Sequence, residues 1–125
     1  MGFTTTFQDQ FLDEYFAVER FLSLHSAPPG AGGSYASEVP AGGTGYIRQS
    51  LAGKLSVAAG GLITNVSAIN FPLITGNYPV VTDFGVGSAL TGGIMGVTGV
   101  FNESSLRSIG QSYQFAPGAL RFQLR

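Results

Sequence analysis

Glycine recurs so often in this chain that only one stretch, residues 4–18, is both long enough and free enough of breakers to hold a helix. Glycine loses more backbone freedom on ordering than any other residue, so it interrupts regular structure and marks turns. Gly60-Gly61, Gly76-Asn77, Gly92-Gly93 and Pro117-Gly118 are such marks. Between them lie short apolar runs at 46–51, 54–58, 62–71, 80–86, 94–101, 106–109, 112–115 and 119–124. A further alternating run over 19–26 ends at Pro28-Pro29-Gly30. Short strands at this spacing predict a mainly β fold, an antiparallel β-sandwich or small jelly-roll-like barrel, with one N-terminal α-helix.

The helix is amphipathic: Phe7, Phe11, Tyr15 and Val18 form one stripe, with Leu12 and Phe16 beside it, and Asp9, Asp13 and Glu14 are expected on the wet side. Thr6 and Asp9 have the spacing of a capping box. So aromatic a stripe is expected in a core or at a subunit interface. Residues 28–45 are nearly all Gly, Pro, Ala, Ser and Thr, a loop long enough to need a use. An extended arm lying on a neighbouring subunit would be one. Residues 1–125 then form a single domain, with helix 4–18, arm 28–45 and a β-sandwich over 46–124 that includes the strand at 19–26. In the last strand Leu120, Phe122 and Leu124 share one face, and Arg121 and Arg125 on the other discourage edge pairing.

Composition narrows the function. Charged residues make up 10% of the chain, against about a quarter in an ordinary soluble domain, so much of the surface is neutral and suited to being covered by other protein. A homo-oligomer is expected. A net charge of −1 gives no basic stripe for phosphates, and no nucleic-acid partner is expected. Without cysteine there is no disulfide framework or thiolate metal site. The early acids Asp9, Asp13, Glu14 and Glu19 and the lack of a basic n-region argue against a secretory signal peptide, so the protein is expected to remain in the cell that makes it. The uncharged run from Phe84 to Asn102 holds a Gly92-x-x-x-Gly96 spacing, but its apolar residues alternate with small ones, as in strands rather than a membrane span.

Candidate chemistry is sparse. Asp83-Phe84-Gly85 spells a kinase metal motif without the rest of that set, and Gly85-x-Gly87 lacks the third glycine of a dinucleotide loop. His25 is the one imidazole, so any triad or His-metal scheme must pass through it; a hydrogen bond near a sheet edge is the plainer expectation. Glu38, Asp83 and Glu103 could meet only through folding, as glycosidase pairs do. Asn65-Val66-Ser67 and Asn102-Glu103-Ser104 match the glycosylation sequon, a pattern discounted in a chain without a signal peptide. Tyr35, Tyr46 and Tyr78 stand among glycines and prolines, where they serve as interface anchors or pack over turns. The expected contact residues are therefore Phe7, Phe11, Tyr15, Phe16, Tyr35 and Tyr46, with no catalytic residue, cofactor or metal.

Several phrases in order carry a resemblance. They are Leu22-Ser23-Leu24-His25 running into Pro28-Pro29-Gly30, then Glu38-Val39, Gly45-Tyr46-Ile47-Arg48-Gln49 and Ile69-Asn70-Phe71-Pro72. Val81-Thr82-Asp83-Phe84-Gly85-Val86, Gly92-Gly93-Ile94 and Phe115-Ala116-Pro117-Gly118-Ala119-Leu120 complete the series. Over roughly 12–124 the chain resembles a family of small tailed-phage virion proteins commonly labelled tail fibre proteins. The resemblance implies a non-enzymatic structural protein of the virion, made in the host bacterial cytoplasm, whose partners are the major capsid protein or tail proteins. A chain too short to span a fibre favours head decoration as a cement protein. The alternative is a tail fibre or tail adaptor, with receptor binding or glycan hydrolysis at a tip as a further reading.

Overall fold

The computed structural model describes residues 4–30, 32–105 and 108–123. It is mainly β, with antiparallel pairing and one helix, as expected. In chain order the elements are α1 (Thr5–Tyr15), β1 (Phe21–His25), β2 (Gln49–Ser50), β3 (Leu62–Thr64), β4 (Ile69–Asn70), β5 (Val81–Gly87), β6 (Met95–Ser105), β7 (Gln114–Phe115) and β8 (Arg121–Gln123). One sheet has the order β2-β1-β5-β6, and β3-β8 and β4-β7 are two-stranded. The barrel alternative is not realised, because β2 and β6 end the larger sheet without meeting. The run at 54–58 is reduced to an isolated antiparallel bridge, Leu55 opposite Asn65, closed by the Ser56 amide on the Thr64 carbonyl and the Val66 amide on the Lys54 carbonyl. The run at 62–71 divides into β3 and β4 around exposed residues 66–68. Of the run at 106–109, residues 108 and 109 are not strand and the first two lie outside the described residues. The uncharged segment 84–102 falls in the β5–β6 hairpin, and no helix among the described residues is long and apolar enough to cross a membrane.

The chain divides into two compact units. The first comprises Met1–Glu19, Leu51–Ile69 and Gln114–Arg125. Here α1 departs from the expected wet side at two acids, while Glu14 is exposed as expected. Asp9 accepts from the Gly61 amide at 2.7 Å and Asp13 from the Ala58 amide at 2.9 Å, so these two acids satisfy loop N–H groups. Phe7 and Phe11 are 45% and 49% exposed, and Leu12 is the helix's buried residue. The cap also differs: Thr4, not Thr6, takes the Phe7 amide, since Asp9 is committed to Gly61. The helix stops at Tyr15, where Ala17 bonds back to the Glu14 carbonyl and the Phe16 ring lies 5.0 Å from that of Phe122.

Asn65, 1% exposed, organises the rest of this unit. Its amide donates to the Ser67 and Ala116 carbonyls at 3.0 and 2.9 Å, and its oxygen accepts from the Leu120 amide at 2.9 Å. This sequon asparagine is thus consumed as a side-chain substitute for strand pairing; the side chain of Asn102 lies outside the described residues. In β8 the expected alternation holds as far as it is described, with Leu120 and Phe122 buried and Arg121 exposed. Leu124 and Arg125 lie outside the described residues.

The second unit comprises Arg20–Ser50 and Asn70–Tyr113. β1 lies between β2 and β5 and is buried on both faces, with Leu22 and Leu24 on one and Ser23 and His25 on the other. Glycine clears space for its neighbours. A Cβ at Gly87 would fall inside the Tyr35 hydroxyl, and one at Gly99 inside the ring of Phe84, its cross-strand partner. The Asp83-Phe84-Gly85 motif is therefore strand β5, with its glycine beneath the Met95 side chain. The glycine-rich stretch is ordered by its own unit at several points: Val39 donates to the Leu24 carbonyl at 3.0 Å, and Thr75 to the Thr44 carbonyl at 2.9 Å. A Cβ at Gly76 would overlap the Gly43 carbonyl. Backbone on both sides of that contact cannot yield cheaply. Gly76→Ala should therefore lose about 2 kcal/mol of stability, measured by urea unfolding, while Gly42→Ala, with open space around it, should stay within about 0.5 kcal/mol of the parent.

Candidate functional site

The chemistry-bearing side chains of the second unit gather where residues 35–48 lie along β1. His25 is fully buried. Its Nε2 lies 2.8 Å from Ser23 Oγ and its Nδ1 3.2 Å from Ser37 Oγ. The Ser37 hydroxyl donates to the Ala27 carbonyl at 2.9 Å. A hydroxyl has one proton, so Ser37 can only accept from the ring, and Nδ1 carries the hydrogen. Nε2 of the neutral ring then accepts from Ser23, whose contact to the Gly85 carbonyl is the longer one at 3.3 Å. Asp83 stands opposite His25 in the ladder and takes the Thr82 hydroxyl at 2.6 Å. Burial lowers the His25 pKa, the neighbouring Glu38 and Asp83 charges opposing that shift and Arg48 adding to it.

Ser23 and His25 together look like a nucleophile and its base. Both have zero exposure, however, and the second ring nitrogen meets a serine rather than a carboxylate. The pair is closed off from solvent in the fold, and its third member is not the orienting acid that a triad uses. The expected place of His25 near a sheet edge is also revised: β5 pairs with it on one side and Glu38 forms a bridge on the other.

Glu38 and Arg48 form the centre of the arrangement. Arg48 sends Nε to Glu38 Oε2 at 2.7 Å and Nη2 to Oε1 at 2.9 Å, the parallel fork that guanidinium and carboxylate geometry favours. Its Nη1 reaches the Ala89 and Gly92 carbonyls at 2.9 and 2.8 Å, and its plane lies 4.0 Å over the Tyr35 ring. The Tyr46 hydroxyl donates to Glu38 Oε2 at 2.6 Å and accepts from the Leu24 amide at 3.2 Å. Burial pushes the Glu38 carboxyl up, but the hydrogen bonds from Arg48 and Tyr46 and the Arg48 charge outweigh it and hold the group below its ordinary value. Burial and the Glu38 bond raise the Tyr46 phenol above its own. Burial likewise pushes Tyr78, beside Tyr113, up to about 12.

The expected contact residues separate accordingly. Tyr46, 5% exposed, stacks on Phe71 inside its own unit. Tyr35 has Arg48 over its ring and His25 at 6.0 Å, so neither tyrosine offers an open face to a sugar. Phe16 and Tyr15 are half-buried, and Phe7 and Phe11 are the two that face outward. Sequence reasoning missed the Arg48–Glu38 pair; its only signal was two charges in a stretch otherwise short of them. Glu38 and Asp83 are both brought near His25, while the side chain of Glu103 lies outside the described residues. Beside the pair runs a cleft of about 400 Å³ with half-exposed Ile47 and Leu90 at its rim. Among the described residues no cluster of histidine and carboxylates could hold a metal ion.

The family model described as "Podophage GP4 fiber I protein gp80" matches residues 4–123. The chain belongs to that family, which bears out the resemblance carried by the phrases from Leu22 to Leu120. It is a phage fibre-type structural protein of the virion. Comparison with curated proteins gives no match.

Two measurements check the site. Folding holds His25 below its ordinary 6.5 and Glu38 below 4.5, so the unfolded chain binds protons first as pH falls. Stability should be level above the upper value, decline as pH drops through it, and decline again below the lower one. In urea titrations His25→Gln should remove the first decline and keep the second. Arg48→Met should cost about 3 kcal/mol by leaving Glu38 buried without its counter-charge, and Glu38→Gln/Arg48→Met should cost less than the two single changes summed.

Proposed function

We propose that the protein is a non-enzymatic component of the tail-fibre apparatus of a podophage, acting through contacts with other virion proteins and with copies of itself. The family match over residues 4–123 carries this reading. It supports the fibre alternative and lends nothing to head decoration. The state of the polar side chains agrees with it. Ser23, His25, Glu38, Tyr46 and Arg48 spend their donors and acceptors on one another and on backbone groups, which is how a subunit is stiffened rather than how a reaction is run.

Exposed apolar side chains on both units suit such a role. Phe7, Phe11 and Val18 belong to the first, and Ile47, Leu73, Leu90, Ile94 and Ile109 to the second. A contact protein in an array does not need one large surface, because weak contacts repeated around a symmetric assembly add through effective concentration. Counting copies in purified particles, with gold labelling of an epitope tag, tests the location. The expected result is label on the tail and a copy number that is a small multiple of the tail's rotational symmetry. Label over the head, at a number matching the capsid lattice, would overturn the reading. A fluorophosphonate probe should leave Ser23 unlabelled in the native protein; labelling there would end the non-enzymatic proposal.

A further inference from the structure

We infer that His25 is a proton-operated latch: its neutral ring fastens the backbone at 37–39 onto β1, and a ring that takes up a second proton lets that backbone lift while the β1–β5 ladder stays closed. The inference does not depend on the fibre reading.

The ring is wired for one protonation state. A single run of donated protons passes from Ser23 to Nε2, from Nδ1 to Ser37 and from Ser37 to the Ala27 carbonyl, at 2.8, 3.2 and 2.9 Å. A charged ring donates from both nitrogens, so Ser23 would have to turn and give its proton to the Gly85 carbonyl, 3.3 Å away. That exchange keeps a partner on Nε2 but brings no counter-charge to either nitrogen. The two carboxylates that face the ring have other partners. Asp83 of β5 takes the Thr82 hydroxyl, and Glu38 takes the Arg48 fork and the Tyr46 hydroxyl. Arg48 adds a positive charge on the side of the 35–48 segment, where the Tyr35 ring also lies, 6.0 Å away. Water would solvate the charge, but His25 has zero exposure, so the closed fold resists the second proton.

The two sides of β1 hold with unequal strength. Toward β5 five consecutive residues are paired, from Phe21 to His25. On the other side the same end of β1 has one bridge, His25 opposite Glu38, closed by the Val39 amide on the Leu24 carbonyl and the Ser26 amide on the Ser37 carbonyl. The bond from Nδ1 to Ser37 crosses that bridge, so the charge that needs water arises at the weaker side. The backbone around it has room to move, since Gly30 and Gly42 have open space about them. Glu38 keeps its own charge while His25 gains one, because the hydrogen bonds from Arg48 and Tyr46 hold its carboxyl below the ordinary 4.5 against burial. The Arg48 fork thus tethers the lifted segment, and raising the pH lets it reseat.

Burial, the largest influence, holds the closed ring below its ordinary 6.5 against the Glu38 and Asp83 charges. The lifted form exposes the ring to water and takes the proton near the ordinary value. Opening is therefore independent of pH well above 6.5 and grows as pH falls through it, about tenfold per pH unit until the closed ring titrates as well.

Native-state hydrogen exchange on the full chain, followed by NMR in low urea, separates this local opening from global unfolding. Ser26 and Val39, whose amides close the bridge, should exchange ahead of Phe71 and Ile74 of the same unit, with a smaller urea dependence. Between about pH 7.5 and about pH 5.5, after correction for the intrinsic exchange rate, that opening should become about tenfold more frequent. His25→Gln, which can donate and accept but does not titrate, should make the opening independent of pH. The sequence has one histidine, so the ring signals of the parent titrate without ambiguity, and a value under 6.5 is expected whether or not the variant folds. Exchange of Ser26 and Val39 in step with Phe71 and Ile74 at every urea concentration would overturn the latch. So would a local opening that ignores pH in the parent, one that keeps its pH dependence in His25→Gln, or a ring that titrates at or above 6.5. Particle labelling reports on the fibre reading alone and leaves these outcomes untouched.

Discussion

The second unit depends on one buried ion pair. Arg48 and Glu38 sit in a chain that carries few charges, and they are placed so that a single guanidinium reaches a carboxylate, two carbonyls and an aromatic face. Glycine-rich backbone has little side-chain surface with which to hold itself, and a hydrophobic core alone would leave residues 35–48 with many alternative paths over β1. The fork of charge-assisted bonds selects one of them. Burying an ion pair is costly and often adds little net stability; its value here is that only one arrangement satisfies every donor. Tyr46 and the Leu24 amide extend the same network to the strand at the centre of the unit.

The first unit reaches a similar end by other means. Asn65 and two helix acids, rather than a long ladder, satisfy the backbone groups that its short strands leave over. Both units thus use polar side chains as backbone partners, which is what a sequence broken every few residues by glycine requires. It also explains why so little chemistry is on offer. Among the described residues Asp9, Asp13, Glu38, Arg48 and Asn65 are engaged in holding loops.

Periodicity made the β class, the single helix and the strands at 21–25, 81–87 and 121–123 legible, because alternation and turn residues act locally. The orientation of α1 was not legible. An apolar stripe predicts which residues share a face, and Phe7 and Phe11 do share one; it does not say that backbone amides at 58 and 61 will claim the acids and turn that stripe outward. The run at 54–58 read as a strand on composition, yet only Leu55 finds a partner in register, Asn65, so the pairing stops at a single bridge. The Arg48–Glu38 pair was out of reach for the same reason: ten positions of flexible chain separate its members, and no spacing rule links them. The family resemblance was carried by the order of several weak phrases, among them residues 45–49 and 81–86, that the structure places around the same network.

Asn65 has a chemical consequence for a particle that must survive outside any cell. Asparagine ages when the following backbone nitrogen attacks its side-chain carbonyl to form a cyclic imide. Here that nitrogen, on Val66, donates to the Lys54 carbonyl at 2.8 Å, and the amide it would attack is clamped by carbonyl oxygens on one end and an N–H on the other. The residue that fastens the unit is thereby shielded from the slow reaction that would unfasten it, and the joint keeps its identity for as long as the fold keeps its shape.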